Sequence, residues 1–469
     1  MLLHMSTAQR DRAVGAMVGL AVGDALGAGY EFASPVPPHE VAMIGGGIGD
    51  FAPGEWTDDT SMAIPILQAV AAGLDLDDVA TQDRVVGAWI HWTDDAKDVG
   101  VTTRASLRGA AGRSADAVRD HARSRFEAGV PGAGNGTLMR TTPIVFAHLS
   151  DPDGLTHTAR LYSDLTHGDP EAADACVLWN HAQRHAILHA EFDLAIGVDQ
   201  LPAERRDLWL QRIHAAEAGQ PGDFTRNGWV VEALQCAWSA IVSTPLTGPE
   251  HFESAIRAAV AAGWDTDTVA AIAGSLLGAR WGVSAIPLDW RRRVHGWPDL
   301  TGQDLVRLTS AAVTGEEWPT RLYDTLRAEG PPVALAADPG VWIGDVFGLE
   351  DLPEQVTAVV SLCRLGSQQL PDHIDTHVEV WLIDSPAQEE NPHLEFVTRD
   401  TVDLIRRLRD EGETVYVHCV QAHSRTPFIA ALYTATVTGL PGPTALEQVC
   451  AQLPSASPNR AFRAHLDAV

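Results

Sequence analysis

The sequence predicts a multidomain chain: an all-α domain followed by a small α/β domain with a parallel central sheet. Three observations carry this. A length of 469 residues exceeds one ordinary core. The first two thirds show apolar residues at three- and four-residue spacing. The last third alternates short β-branched runs with amphipathic stretches.

Segments 7–26, 59–72, 171–196, 229–242 and 266–281 are rich in Ala, Leu and Val at helical spacing. Gly and Pro clusters at 33–54 and 129–136 interrupt them as long loops. Composition changes near Arg327, where Glu-Gly-Pro-Pro-Val reads as a linker. The expected domains are 1–328 and 338–469, joined by a linker at 329–337. In the second, 341–343, 358–363, 378–383 and 414–418 read as buried strands, with helices at 397–410 and 427–438.

The bulk composition narrows the function. A formal charge of −29 argues against a non-specific nucleic-acid binder and against docking on anionic membranes, so neither partner is expected. No run of about 18 apolar residues suggests a membrane span, and the start lacks the blocks of a signal peptide. Five cysteines make no disulfide framework, so a cytoplasmic location is expected. Lys97 is the only lysine among the basic residues, a bias that reads as high-GC coding.

Four separated pieces of the first domain carry chemistry: Gly23-Asp-Ala-Leu-Gly-Ala-Gly-Tyr-Glu31, Gly54-Glu-Trp-Thr-Asp-Asp-Thr-Ser-Met62, Gly132-Ala-Gly-Asn-Gly-Thr-Leu-Met-Arg140 and Gly263-Trp-Asp-Thr-Asp-Thr-Val269. Thr57, Asp58 and Asp59, beside Asp265, Asp267 and Thr268, offer carboxylates and hydroxyls without cysteine, a donor set for hard divalent ions. Brought together, two such clusters repel unless cations neutralise them. A metal pair sharing a carboxylate meets that need. Each cluster alone also suits a helix N-cap, but a cap needs one such residue and each segment supplies three.

In this order, over roughly residues 8–325, the four pieces resemble the ADP-ribosylglycohydrolase family. The resemblance implies an all-α fold with two divalent ions, Mg²⁺ or Mn²⁺, in a cleft. It makes Thr57, Asp58, Asp59, Asp265, Asp267 and Thr268 the metal ligands, and Glu31 the acid/base or gating carboxylate. Gly134, Asn135, Gly136 and Met139 would line the diphosphate and ribose, where glycine lets backbone N–H groups approach phosphate. Thr166-His167 resembles a pair that contacts the nucleotide, Trp229 an aromatic cover, and Asp98 an acid that receives a guanidinium. The implied reaction is removal of ADP-ribose from a modified protein, with an arginine acceptor favoured.

In the second domain, His418-Cys-Val-Gln-Ala-His-Ser-Arg425 follows an expected strand and precedes an expected helix. A helix N-terminus stabilises a thiolate and cradles phosphate, and an arginine grips two of its oxygens. The segment resembles the protein-tyrosine and dual-specificity phosphatases over roughly residues 338–469. The resemblance makes Cys419 the nucleophile, Arg425 the phosphate clamp, Thr426 the hydroxyl that helps the leaving thiolate and Asp384 the general acid. It implies no cofactor; the phosphorylated substrate is unknown. Ala422 stands where that pattern has glycine, so its Cβ crowds the loop if φ is positive. The alternative is an ADP-ribose-binding reader whose C-terminal domain binds phosphate and catalyses weakly.

Three histidines, His181, His185 and His189, share a spacing that suggests a solvated helix face. Cys176, Cys236, Cys363 and Cys450 read as core filler, and the acidic run 75–78 as solvated surface.

Overall fold

The computed structural model describes residues 5–326 and 330–469. Contacts group the chain into two units: Met1–Ile286 with Arg293–Glu316, and Pro287–Arg292 with Glu317–Val469.

The first unit is helical, with one two-stranded hairpin of β1 (His295–Gly296) and β2 (Leu300–Thr301). Its centre is the pairing of helix Thr7–Gly27 with helix Thr266–Trp281. A Cβ on Gly23 would run into the Ala270 carbonyl, and one on Gly278 into the Gly15 carbonyl. The two helices therefore run antiparallel at a separation only glycine allows, with Gly27 beside Asp267. This close pairing places the end of the first helix against the start of the second, and so Asp24 near Asp267. Ser6 starts the first helix with a capping box to Gln9. By length and composition Thr7–Tyr30 is apolar enough to cross a membrane, which corrects the expectation of no such run; 89% of its apolar window is buried inside the protein, as in a core helix.

Helix Pro170–His189 stops earlier than the periodicity suggested, because Ala190 turns left-handed at φ 59°. The expected solvated histidine face is also corrected: His181 is buried, with Nε2 2.8 Å from the Thr156 hydroxyl, and only His189 of the three is exposed.

The second unit holds a five-stranded sheet of β3 (Val333–Leu335), β4 (Asp338–Asp345), β5 (Ala358–Ser361), β6 (Thr376–Glu379) and β7 (Val415–Cys419), in the order β3-β4-β7-β5-β6. All neighbours pair in parallel except β3 and β4, so the sheet is mostly parallel with one antiparallel edge strand. Helices Leu394–Asp410 and Arg425–Thr438 pack on it around Ile343, Val360, Leu408, Val417 and Phe428. Strand β7, last in the chain, lies between β4 and β5, so its C-terminal end opens where the strand order reverses, the place where α/β sheets bind ligands.

Residues 329–337 were expected as a linker; β3 within them pairs with β4, although Glu329 lies outside the described residues. The second unit also begins before residue 338. Trp318 donates its indole N–H to the Leu365 carbonyl at 2.8 Å, and Ser367 and Gln368 donate backbone N–H groups to the Pro319 and Thr320 carbonyls. Leu288 joins the hydrophobic cluster of this unit.

Candidate functional sites

Thr57 and Asp265 stand at the N-caps of helices Asp58–Ala71 and Thr266–Trp281, yet neither side chain caps its helix. The Thr57 hydroxyl instead lies 3.1 Å from Asp59 Oδ2 and 3.4 Å from Asp267 Oδ2. Asp24, from the first helix, takes over the capping. It accepts the backbone N–H groups of Thr57 at 2.8 Å and Thr60 at 2.9 Å, and the Thr60 hydroxyl at 2.6 Å. Oxygens of Asp24, Asp59 and Asp267 come within 4.8 Å of one another, as do those of Glu31, Asp265 and Asp267.

The carboxylates crowd at high electrostatic cost. Burial, then Asp265 and Asp98, push Glu31 up to about 8. Burial and Asp98 push Asp58 to about 7, although Gly100 N–H donates to it. Burial and neighbouring carboxylates hold Asp59 and Asp267 well above the usual range. Asp59 Oδ1 is buried without a hydrogen-bond partner. An orphaned acceptor among crowded carboxylates is a donor set completed by a cation. The residues present fit divalent metal.

Two loops hold the Glu31 and Asp265 ends together. Phe32 N–H donates to the Trp264 carbonyl at 2.7 Å, and both residues take left-handed φ, 50° and 65°. Strain of this kind gathers at functional sites. Asn135 Nδ2 donates to Asp265 Oδ2 at 2.9 Å and to the Asn227 carbonyl, while Asn227 Oδ1 accepts the Asp265 N–H at 3.1 Å.

The loop Gly134–Gly136 lies against His167 and the Thr102–Thr103 pair. A Cβ on Gly136 would come within 3.1 Å of Thr103 Oγ1 and 3.3 Å of His167 Cε1. Backbone pairing of Gly134 with Trp229 fixes the loop, and Trp229 Nε1 donates to Glu171 at 3.2 Å with Arg212 and Arg226 flanking its ring. Met139 is buried on the turn Asn135–Arg140. A cavity of about 540 Å³ opens beside Thr57 and Asp58, with Asp98, Lys97, Trp92 and Trp297 in its wall.

In the second unit, Cys419 ends β7 and Arg425 opens the following helix. Ala422 has φ 55°, the left-handed conformation that costs an L-residue about 1–2 kcal/mol. Arg425 Nη1 donates to the Leu362 carbonyl at 2.6 Å and the Leu382 carbonyl at 3.3 Å, while its Nε is buried without a partner. Asp384 Oδ1 accepts the Ser424 hydroxyl at 2.7 Å and Asn459 Nδ2 at 3.0 Å, so the structure sets Asp384 against the cysteine loop. Thr426 donates its hydroxyl to the Gly344 carbonyl at 3.1 Å. His418 lies 2.7 Å from Ser361 Oγ, and burial pushes it down to about 4.

The family model for ADP-ribosylglycohydrolase matches residues 5–321. The chain belongs to the ADP-ribosylglycohydrolase family. It is 30% identical over 285 residues to the ADP-ribosylarginine hydrolase Tri1 of Serratia proteamaculans, covering 60% of this chain and 74% of that protein. It is also 30% identical over 289 residues to the ADP-ribosyl-(dinitrogen reductase) glycohydrolase of Rhodospirillum rubrum, covering 60% and 89%. A third likeness, 29% over 133 residues, is to human dual specificity protein phosphatase 15, covering 28% of this chain and 43% of that protein. The glycohydrolase domain is thus followed by a phosphatase-like domain.

The structure brings the expected glycohydrolase residues Thr57, Asp59, Asp265, Asp267 and Glu31 into one neighbourhood, with Asp58 and Asp98 at the adjoining cavity. Thr268 follows Asp267 and donates its backbone N–H to that carboxylate at 2.9 Å. Sequence reading missed the capping role of Asp24, the Asn227 clamp, and Asn459 beside Asp384. Asp24 stood in a quoted motif, but a lone carboxylate in an apolar helix gives no sign of what it faces.

Proposed function

We propose that this glycohydrolase is a bifunctional hydrolase. Its first domain removes ADP-ribose from a protein side chain in a divalent-metal-dependent reaction, and its second hydrolyses phosphate monoesters through Cys419. The observation that carries the first part is the convergence of Asp59, Asp265, Asp267 and Glu31 beside the Gly134–Gly136 loop.

Thr57, Asp58, Asp59, Asp265, Asp267 and Thr268 would hold two ions, Mg²⁺ or Mn²⁺, with Asp267 common to both carboxylate groups. Asp24 already accepts three hydrogen bonds and acts as their support. Divalent ions, when bound, polarise substrate hydroxyls and acidify water. Gly134 and Gly136 leave room for a diphosphate, and Trp229 offers a face for a base. Glu31, grouped with Asp265 and Asp267, is placed to deliver or accept a proton as the C1″ bond breaks. Asp98 in the cavity wall would take a guanidinium, and the arginine named for Tri1 supports an arginine acceptor.

The deciding experiment is release of free ADP-ribose from arginine-linked and serine-linked peptides, with Mn²⁺ and with chelator. We expect release from the arginine-linked peptide, lost on chelation. Binding without release overturns the enzyme in favour of a reader. For the second domain, the left-handed Ala422 and the carbonyl-bound Arg425 favour a second reading, a loop that holds phosphate with little turnover. Turnover of an aryl phosphate, lost in Cys419→Ser, separates the two.

A further inference from the structure

His167 is 1% exposed, and its Nδ1 lies 2.8 Å from the Thr166 hydroxyl oxygen. That oxygen also accepts a hydrogen bond from Arg140 Nη2 at 2.7 Å. Arg140 has only donors to offer. It is 1% exposed, stacks 4.2 Å from the Trp89 ring and also donates from Nη1 to the Met62 sulfur and from Nη2 to the Tyr162 carbonyl.

The proton count at Thr166 then has one satisfactory solution. With Arg140 donating to the oxygen, the hydroxyl proton goes to His167 Nδ1. Were Nδ1 protonated, two donors would meet one oxygen and the hydroxyl proton would be stranded in the interior, a desolvation penalty that proteins avoid. Nδ1 is therefore an acceptor, and the ring proton sits on Nε2. A Cβ on Gly134 would lie 3.3 Å from Nε2, and one on Gly136 3.5 Å, so Nε2 faces the glycine loop. Burial and the Arg140 charge push His167 down to about 3, which keeps the ring neutral.

We infer that Arg140 acts through Thr166 to lock His167 in its Nε2–H tautomer, presenting one fixed N–H donor to the diphosphate oxygens of the ADP-ribosyl group. The ligand named here rests on the function proposed above; the lock itself does not. Arg140 is a positioning residue, and its role separates into a spectroscopic part and a binding part.

The test is a ring ¹H–¹⁵N correlation spectrum of histidine-labelled protein near neutral pH, with His167 assigned by its loss in His167→Asn, combined with titration of free ADP-ribose. Wild type should show a protonated Nε2 and an unprotonated Nδ1. Thr166→Val, which removes the hydroxyl and keeps the shape, should mix the tautomers and weaken ADP-ribose about ten-fold or more. Thr166→Ser should restore both readouts. An Nδ1–H ring in wild type, or an unchanged ring and affinity in Thr166→Val, overturns the lock. A wild-type Nε2–H ring without ADP-ribose binding supports the lock and overturns the ligand assignment together with the reading beneath it.

Discussion

Thr57 and Asp267, 210 residues apart in the chain, meet through a hydroxyl–carboxylate contact of 3.4 Å. Each stands in the first turn or cap of a helix, where such residues ordinarily serve their own backbone. Here Asp24 relieves helix Asp58–Ala71 of that need, and Thr57 turns toward Asp267. The contact is the geometric ground for expecting a shared metal centre.

A cation is expected to stabilise this cluster. Mn²⁺ at a hundred times its dissociation constant should add about 2.7 kcal/mol to unfolding. Asp59→Asn should make the chelator-treated protein more stable than wild type and abolish the Mn²⁺ response. Thermal melts with Mn²⁺ and with chelator check both, and an undiminished Mn²⁺ shift in the variant contradicts the ligand role.

In the metal-free protein, stability should fall as pH rises. Glu31 is raised from 4.5 to about 8 and Asp58 from 3.8 to about 7. Such groups bind protons more tightly folded than unfolded, so their contribution is full below about pH 4 and is lost on the way up to 8. Melting temperatures of chelated protein between pH 5 and 8.5 should decline, less steeply in Asp58→Asn. A flat profile would sink this account.

The two chemistries should separate cleanly. Asp267→Ala should abolish ADP-ribose release and leave aryl phosphate turnover intact, and Cys419→Ser should do the reverse. Chelation should silence only the first. Parallel loss of both activities in either variant would refute independent sites.

Gly136→Ala places a methyl 3.1 Å from Thr103 Oγ1 and 3.3 Å from the His167 ring. We expect roughly a ten-fold loss of ADP-ribose affinity, about 1.4 kcal/mol, with the melting temperature little changed. Calorimetric titration measures it; wild-type affinity would show that the loop does not cradle the ligand.

Ala422→Gly removes a strained Cβ from the cysteine loop, offset by the greater chain entropy of glycine when unfolded. The net expectation is a gain of up to about 1 kcal/mol, with faster aryl phosphate turnover. Denaturant melts and a rate assay decide, and slower turnover would show that the loop needs the alanine.

Much of this was legible in the sequence because residue type and local order suffice for it. Asp-Thr-Asp-Thr and Trp-Thr-Asp-Asp-Thr pointed to carboxylates that the fold gathers into one cluster, and strand, cysteine, helix pointed to a phosphatase-like domain. The failures are non-local or conformational. Ala190 ends its helix in a left-handed turn without a glycine or proline to signal it. Strand β3 hid behind Pro331 and Pro332, since an edge strand needs only three residues once β4 offers a partner. Asn227 clamps Asp265 through a distance that spacing cannot express.

The glycine-close helix pair carries a last consequence. The carboxylates of Asp24, Asp59 and Asp267 gather only when Thr7–Gly27 and Thr266–Trp281 lie side by side. On the ribosome, the chain cannot assemble this cluster until the later helix has emerged. In the finished protein, any excursion that parts the two helices disperses these carboxylates, so the proposed hydrolysis would gauge whether the domain is whole.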